Sequence, residues 1–345
     1  MKALVWRGPR EVEVAEVAEP ALIEPTDAIV TVSLAAICGT DLHAYRGEIE
    51  AIPAGTVLGH EFVGIVAAIG SAVRGLRIGD RVVASDLVAC GECWWCEREW
   101  HYQCQEASLF GYGSVVGEEL PGGQAERVRV PRADLVLRPL APGIDDADAI
   151  FVGDVLATAH MAVAESNLPA EGAVAIVGCG PVGLCTVMCA LRAGAGSVFA
   201  VDPNPVRRAR AAELGALPVD PGGKTDVAGS MANGADVVVE AVGSDASLHT
   251  ALGLVRPRGT VVVVGAHHSE AMPFSTLDAF ARELTIRFVV GDPIAVREEL
   301  LEAIVAGELK PASVVSHRLP LEQGPEAYRL FDRQEAVKVL LVPES

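Results

Sequence analysis

From Ala173 the chain alternates apolar runs with segments of helical spacing. The stretch AVAIVGCGPVGLCTVMCALRAGAGSVFAVD holds an apolar run, a glycine turn, a helical segment and a second apolar run that closes on Asp202. This order predicts one β-α-β unit. DVVVEAVG from Asp236 and TVVVVG from Thr260 continue the alternation and predict further strands of a parallel sheet, reaching about residue 290. ARELTIRFVVGD from Ala281 places an apolar strand at the edge of that sheet, where pairing with a second copy would hide unpaired backbone groups. A homodimer or homotetramer is expected. SVVSHRLP and the terminal VKVLLVP read as mixed strands and helices outside the repeat and are expected to return to the first domain.

The glycine turn carries chemistry. Gly178, Gly180 and Gly183 form G-x-G-x-x-G, with Pro181 and Val182 between the last two. The first glycine permits the tight turn, the second lets backbone approach a pyrophosphate, and the third lets helix pack on strand. The helix N-terminus then faces the phosphate with its amides and dipole. Asp202 follows Gly183 by 19 residues at the end of the second strand, where it can accept hydrogen bonds from a ribose and repel a 2′-phosphate. NAD is therefore favoured over NADP, although Arg207 and Arg208 in the next helix would soften the discrimination if one reached the ribose.

Length and charge narrow the rest. At 345 residues the chain has room for about two domains, and 35 Gly with 21 Pro in a half-hydrophobic composition fit a packed α/β protein. Lys+Arg 27 against Asp+Glu 46 gives −19, which argues against nucleic acid and anionic lipid as partners. With no apolar signal segment and no long uncharged apolar stretch, a cytoplasmic protein that does not cross a membrane is expected.

Four of the eight cysteines, Cys90, Cys93, Cys96 and Cys104, cluster as C-x2-C-x2-C-x7-C. Two-residue spacings are unsuited to unstrained disulfides and suit four thiolates around one structural Zn²⁺. Trp94, Trp95 and Trp100, interleaved with them, are expected to shield the site. Cys179, Cys185 and Cys189 lie beside or within the apolar helical stretch and read as packing. Cys38 opens CGTDLH, and His60 and Glu61 follow in GHE. One thiolate, one imidazole and one carboxylate suit a second, catalytic zinc that keeps a position open for substrate.

Taken together, Cys38-Gly39-Thr40-Asp41-x-His43, Gly59-His60-Glu61, the four-cysteine lobe, the glycine turn and Val337-Lys338-Val339-Leu340 resemble the zinc-dependent medium-chain alcohol dehydrogenases over essentially the whole chain. GGQAERVRVPRADLVL from Gly122 and GDVLAT from Gly153 resemble the formaldehyde-dehydrogenase-like branch. The resemblance implies an α/β chain with a GroES-like, mainly β catalytic domain at 1–152, bearing the zinc lobe at about 88–106. It further implies a Rossmann doubly wound parallel-sheet coenzyme domain at 153–290 and a return to the catalytic domain at 291–345. It implies two zinc ions per chain: a structural one on the four cysteines and a catalytic one on Cys38, His60 and Asp154. Glu61 is then an exchanging ligand or an outer carboxylate, since a second carboxylate on the ion would weaken its Lewis acidity. Asp154 also suits a helix N-cap. Thr40 and His43 are implied as a proton relay, Thr158 as a neighbour of the nicotinamide one helical turn after Asp154, and Lys338 as a pyrophosphate contact. The implied reaction is NAD(H)-linked interconversion of an alcohol with an aldehyde or ketone.

Three departures stand out. Thr158-Ala159-His160-Met161 replaces the branch's Thr-Gly-Tyr-His, and Arg127 stands where an aromatic is usual. A glycine common after the third cysteine is replaced within Glu97-Arg98-Glu99-Trp100, which predicts an altered loop. His160, His249, His267, His268 and His317 receive no role. The competing functions are a polyol or amino-alcohol dehydrogenase of the same superfamily, a zinc-free quinone or enoyl reductase, and a dinucleotide-sensing protein without turnover.

Overall fold

The computed structural model describes residues 1–49, 51–222, 231, 233–267, 271, 273–344. His268 lies outside the described residues. The chain forms two compact units, Met1–Asp154 with Asp292–Ser345, and Val155–Gly291.

In the first unit, the long apolar run Ala28–Ile37 is buried along nearly its whole length and becomes the central strand of a seven-stranded sheet. It pairs antiparallel with Phe62–Ile69, with Arg127–Val130 and with the C-terminal strand Val339–Val342. The terminal strand thereby lies against Ala35–Ile37, directly before Cys38. Gly64 allows the closest approach, since a Cβ there would lie 2.2 Å from the carbonyl oxygen of Thr31. A single core gathers Leu4, Leu58, Phe62, Phe110 and Tyr328, with Phe62 and Phe110 in edge-to-face contact at 5.2 Å. A two-stranded ribbon, Leu87–Val88 with Ser108–Leu109, closes the base of the four-cysteine lobe.

The second unit is a six-stranded parallel sheet. Its strands run Leu217–Val219, Ser197–Val201, Ala173–Val177, Ala235–Glu240, Val255–Val263 and Thr285–Phe288 across the sheet. In chain order this is 3-2-1-4-5-6, the doubly wound arrangement whose switch point lies at the carboxyl end of the first strand. The edge strand is shorter than the apolar pattern suggests. Ala281 ends the helix Thr276–Ala281 and Glu283 takes a positive φ of 51°, so pairing starts only at Thr285. Cys185 and Cys189 are buried in the helix Pro181–Arg192, and Cys179 is buried in the turn before it.

No single helix among the described residues is long and apolar enough to cross a membrane.

The three motif glycines are not equivalent. A Cβ at Gly183 would lie 1.8 Å from the carbonyl oxygen of Gly178, whereas one at Gly180 would meet nothing within 4 Å. Gly183→Ala is expected to cost about 1–3 kcal/mol through forced backbone movement, lowering the melting temperature by at least about 2 °C. Gly180→Ala should melt with the parent chain. Thermal unfolding of both variants followed by circular dichroism checks the pair.

Candidate active site

Cys38 follows the central strand and caps the helix Gly39–Arg46. Asp41, at the third helical position, accepts the Cys38 backbone N–H at 2.9 Å and so ties the thiol's backbone to the first turn. His60 follows Gly59, whose φ of +96° turns the chain into the strand Phe62–Ile69. Asp154 ends a 3-10 turn, Ile150–Gly153, and is positioned through Gly153. A Cβ at Gly153 would lie 2.2 Å from the Ala84 carbonyl oxygen, and the Gly153 carbonyl accepts the Asp86 N–H at 3.0 Å.

These three segments bring together Cys38 Sγ, His60 Nε2 and Asp154 Oδ2. The sulfur and the imidazole nitrogen each lie 3.2 Å from the carboxylate oxygen, and all three donor atoms fall within 4.8 Å of one another. Burial, with the charges of Asp154 and Glu61, pushes the Cys38 thiol up to about 12. Burial alone would also raise Asp154, but His60, with help from Lys338, holds its carboxyl down to about 2. His60 is raised despite burial, because Asp41 and Asp154 flank it. A soft, a borderline and a hard donor thus converge where burial disfavours the thiolate, a donor set that suits a divalent cation of the zinc type.

Glu61 stands outside this convergence. It is fully buried, its Oε2 accepts the Lys338 ammonium, and its Oε1 has no hydrogen-bond partner among the described residues. Burial raises its carboxyl to about 7 even against the opposing charge of Lys338. Lys338, for which the resemblance implies a pyrophosphate contact, is 0% exposed and directs its ammonium to Glu61. Only the pairing of the terminal strand with Ala35–Ile37 brings these residues, 277 apart in sequence, together.

Thr40, half-buried, has its hydroxyl 4.0 Å from Cys38 Sγ. His43 lies one turn further, its Nδ1 2.6 Å from Glu48 Oε2. The expected helical spacing between Asp154 and Thr158 does not hold, because the helix starts at Val155 and Asp154 has φ −161° and ψ −78°. Thr158 belongs to the second unit, where Gly291 passes so close that a Cβ there would lie 2.2 Å from its hydroxyl.

The four cysteine sulfurs also lie within 4.8 Å of one another, with Cys93 and Cys96 at 3.6 Å and Cys90 and Cys96 at 3.8 Å. Burial pushes the Cys96 thiol up to about 12, while the backbone N–H of Cys96 draws Cys93 down to about 7. The tryptophans are not the shield expected of them. Trp94 and Trp100 are 52% and 50% exposed and pack mainly on Trp95 and each other, with the Arg98 guanidinium 4.0 Å over Trp94. Leu87, Ala89 and Ala107 cover the sulfurs instead. In the altered loop, Glu99 occupies a left-handed conformation at φ 59°, the type of position that favours glycine. The lobe is pinned by residues that carried no motif signal. His101 meets Asp292 through its ring and its backbone N–H, and Tyr102 donates to buried Asp86. Arg127 pairs at the surface with Glu19.

In the second unit, Gly178 has a φ of +96°, and Gly180 caps the helix that Pro181 and Val182 begin. The Asp202 carboxylate is buried and accepts the backbone N–H groups of Cys179 at 2.8 Å and Asn204 at 2.7 Å, clamping the glycine turn to the end of the second strand. Each oxygen retains a lone pair for a hydroxyl. Arg208 is committed to the Asp202 carbonyl and to Asp220, while the buried Nε of Arg207 has no partner among the described residues. At the other side of the switch point, buried Glu240 accepts Val242 N–H, Gly243 N–H and His267 Nε2. His267 drew no attention in sequence because its partner sits 27 residues away.

Residues 24–140 match the alcohol dehydrogenase GroES-like domain, and residues 181–306 match the zinc-binding dehydrogenase domain. A probable zinc-binding alcohol dehydrogenase of Mycobacterium tuberculosis is 36% identical over 100% of this chain and 89% of its own length. Among solved structures, alcohol dehydrogenase TADH from Thermus sp. ATN1 is 41% identical with a TM-score of 0.94, covering 100% of both chains. A zinc-binding dehydrogenase of Sinorhizobium meliloti bound to NADP is 30% identical with a TM-score of 0.87, covering 99% of each. Two matched domains, full-length similarity and a shared fold place this chain in the zinc-type, medium-chain alcohol dehydrogenase family of oxidoreductases.

Proposed function

We propose that the chain is a zinc-dependent, NAD-preferring alcohol dehydrogenase that interconverts an alcohol with an aldehyde or ketone. The observation that carries this reading is the convergence of Cys38 Sγ, His60 Nε2 and Asp154 Oδ2. Cys38, His60 and Asp154 would hold a catalytic zinc, and Cys90, Cys93, Cys96 and Cys104 a structural one. When bound, Zn²⁺ supplies the Lewis acidity that lowers an alcohol's pKa, and the nicotinamide supplies the hydride acceptor.

The side chains around the site have separable tasks. The Cys38 thiolate and the Asp154 carboxylate together balance a divalent charge, with His60 neutral. The Lys338 ammonium holds Glu61 as an outer carboxylate, which spares the ion a third anionic ligand. Thr40 accepts the substrate's hydroxyl proton as it passes its own toward His43, and Glu48 steadies the His43 ring at the outer end of this path. Asp202 favours NAD by presenting a carboxylate where a 2′-phosphate would sit, and the commitment of Arg208 elsewhere supports that preference. Assignment to the formaldehyde-dehydrogenase-like branch rests on Asp154 in the ligand set. Exposed Leu277, Phe280, Phe288 and Val290 around the edge strand support self-association through that edge.

Four measurements test this reading. Elemental analysis of the purified chain should give about two zinc per chain, with NADH formation from NAD⁺ exceeding NADPH formation from NADP⁺ across primary, secondary and polyol substrates. One zinc confined to the four cysteines, without turnover, would sink the catalytic site and favour a dinucleotide-sensing protein. His43→Gln should depress kcat most at low pH, where solvent base is scarcest, and an unchanged pH-rate profile would remove His43 from the relay. Light scattering should return at least twice the chain mass, and Phe288→Lys should shift that mass toward the monomer.

A further inference from the structure

We propose that Gln124 and Tyr328 form a buried positioning chain that sets the ring orientation of His60 through Asp41. The inference rests on His60 being a metal ligand, as in the function proposed above.

Gln124 touches both sides of this arrangement. Its backbone N–H donates to the Leu58 carbonyl at 3.0 Å, and a Cβ at Gly59 would lie only 2.4 Å from its Cγ, so it packs against the segment that delivers His60. Its side-chain amide is 0% exposed and donates to the Ala36 carbonyl at 3.0 Å and to Asp41 Oδ2 at 3.2 Å. That same Asp41 oxygen accepts the Cys38 N–H. The other, Oδ1, lies 3.4 Å from His60 Nδ1, an ion-pair distance outside hydrogen-bond geometry, and neither atom has a hydrogen-bond partner among the described residues. Asp41 thus has one oxygen held by two donors and one aimed at the imidazole.

The direction of every proton follows. Were the Gln124 amide flipped, its carbonyl would face two acceptors, Ala36 O and Asp41 Oδ2. The NH₂ must therefore face them, which turns Oε1 toward Tyr328 and requires the phenol to donate, at 2.8 Å. Tyr328 is itself fully buried in the helix Gly324–Asp332, with its ring packed on Tyr45 at 5.3 Å. Tyr328 fixes Gln124, Gln124 fixes Asp41, and Asp41 selects the tautomer of His60 with its proton on Nδ1. Nε2 is then left as a lone pair facing Cys38 and Asp154. Partners of this kind orient a ligating imidazole and raise its basicity.

The test is a Co²⁺ titration of the chelator-stripped full chain, reading the d–d bands of the mixed sulfur, nitrogen and oxygen site apart from those of the four-cysteine site. Gln124→Met, nearly isosteric but without a donor and with only a weak thioether acceptor, should weaken Co²⁺ at the mixed site roughly tenfold and shift its bands, leaving the four-cysteine bands unchanged. Tyr328→Phe should act in the same direction and less. If Gln124 works through Asp41, Gln124→Met added to Asp41→Asn should weaken binding no further than Asp41→Asn alone. Wild-type affinity and spectrum in Gln124→Met, or full additivity with Asp41→Asn, would overturn the proposal. Should Gln124→Met fail to fold, Tyr328→Phe alone and with Asp41→Asn makes the same comparison. A parent chain that shows no mixed-site bands would instead overturn the zinc site itself, and this inference with it.

Discussion

The site depends on anionic donors held where water solvates them poorly. Cys38, His60 and Glu61 are buried within the first unit together with Asp41, and burial pushes the Cys38 thiol up there. Isolated charges in such a place are costly, so each must be paired, hydrogen-bonded or ligated. The protein meets this requirement in layers. Lys338 takes Glu61, backbone and amide donors take Asp41, and Asp41 faces His60. A thiol, an imidazole nitrogen and a carboxylate oxygen turn toward one another at its centre, a set that a divalent cation would satisfy.

Close backbone approaches hold the layers in register. Gly153 lets the chain press on Ala84 before Asp154, and Gly59 makes room for Gln124 before His60. Gly183 does the same for the glycine turn in the second unit. In each case a side chain would collide with backbone or with a buried amide, so the glycines convert chain position into the placement of the next functional residue. A shift of a few tenths of an ångström is felt in such packing because interiors are as dense as organic crystals.

The motifs most readable in sequence were those whose residues lie close together. The four cysteines and the glycine turn announce their chemistry by spacing, since a short loop can bring them together without help from the rest of the fold. Asp154 was reached only through a family resemblance, and its spacing to Thr158 misled because the helix begins one residue later. The pairing of Lys338 with Glu61 is hidden for a similar reason: an alternating terminal strand does not disclose which strand it will join. The tryptophans were misread because sequence proximity to the cysteines says nothing about which side of the lobe faces outward.

By itself, the amino-acid sequence determined the parallel-sheet unit, the glycine turn with Asp202 beyond it, the cysteine-rich lobe and the three kinds of metal donor. Local spacing and hydrophobic period act over a few residues, and these features need nothing more. Only the tertiary structure decided that Lys338 neutralises Glu61 and that Asp86 and Asp292 anchor the cysteine lobe. It also decided that Tyr328 reaches Gln124 and that Gln124 reaches Asp41. These contacts join residues far apart in the chain and are chosen by strand pairing and core packing, which no local pattern encodes.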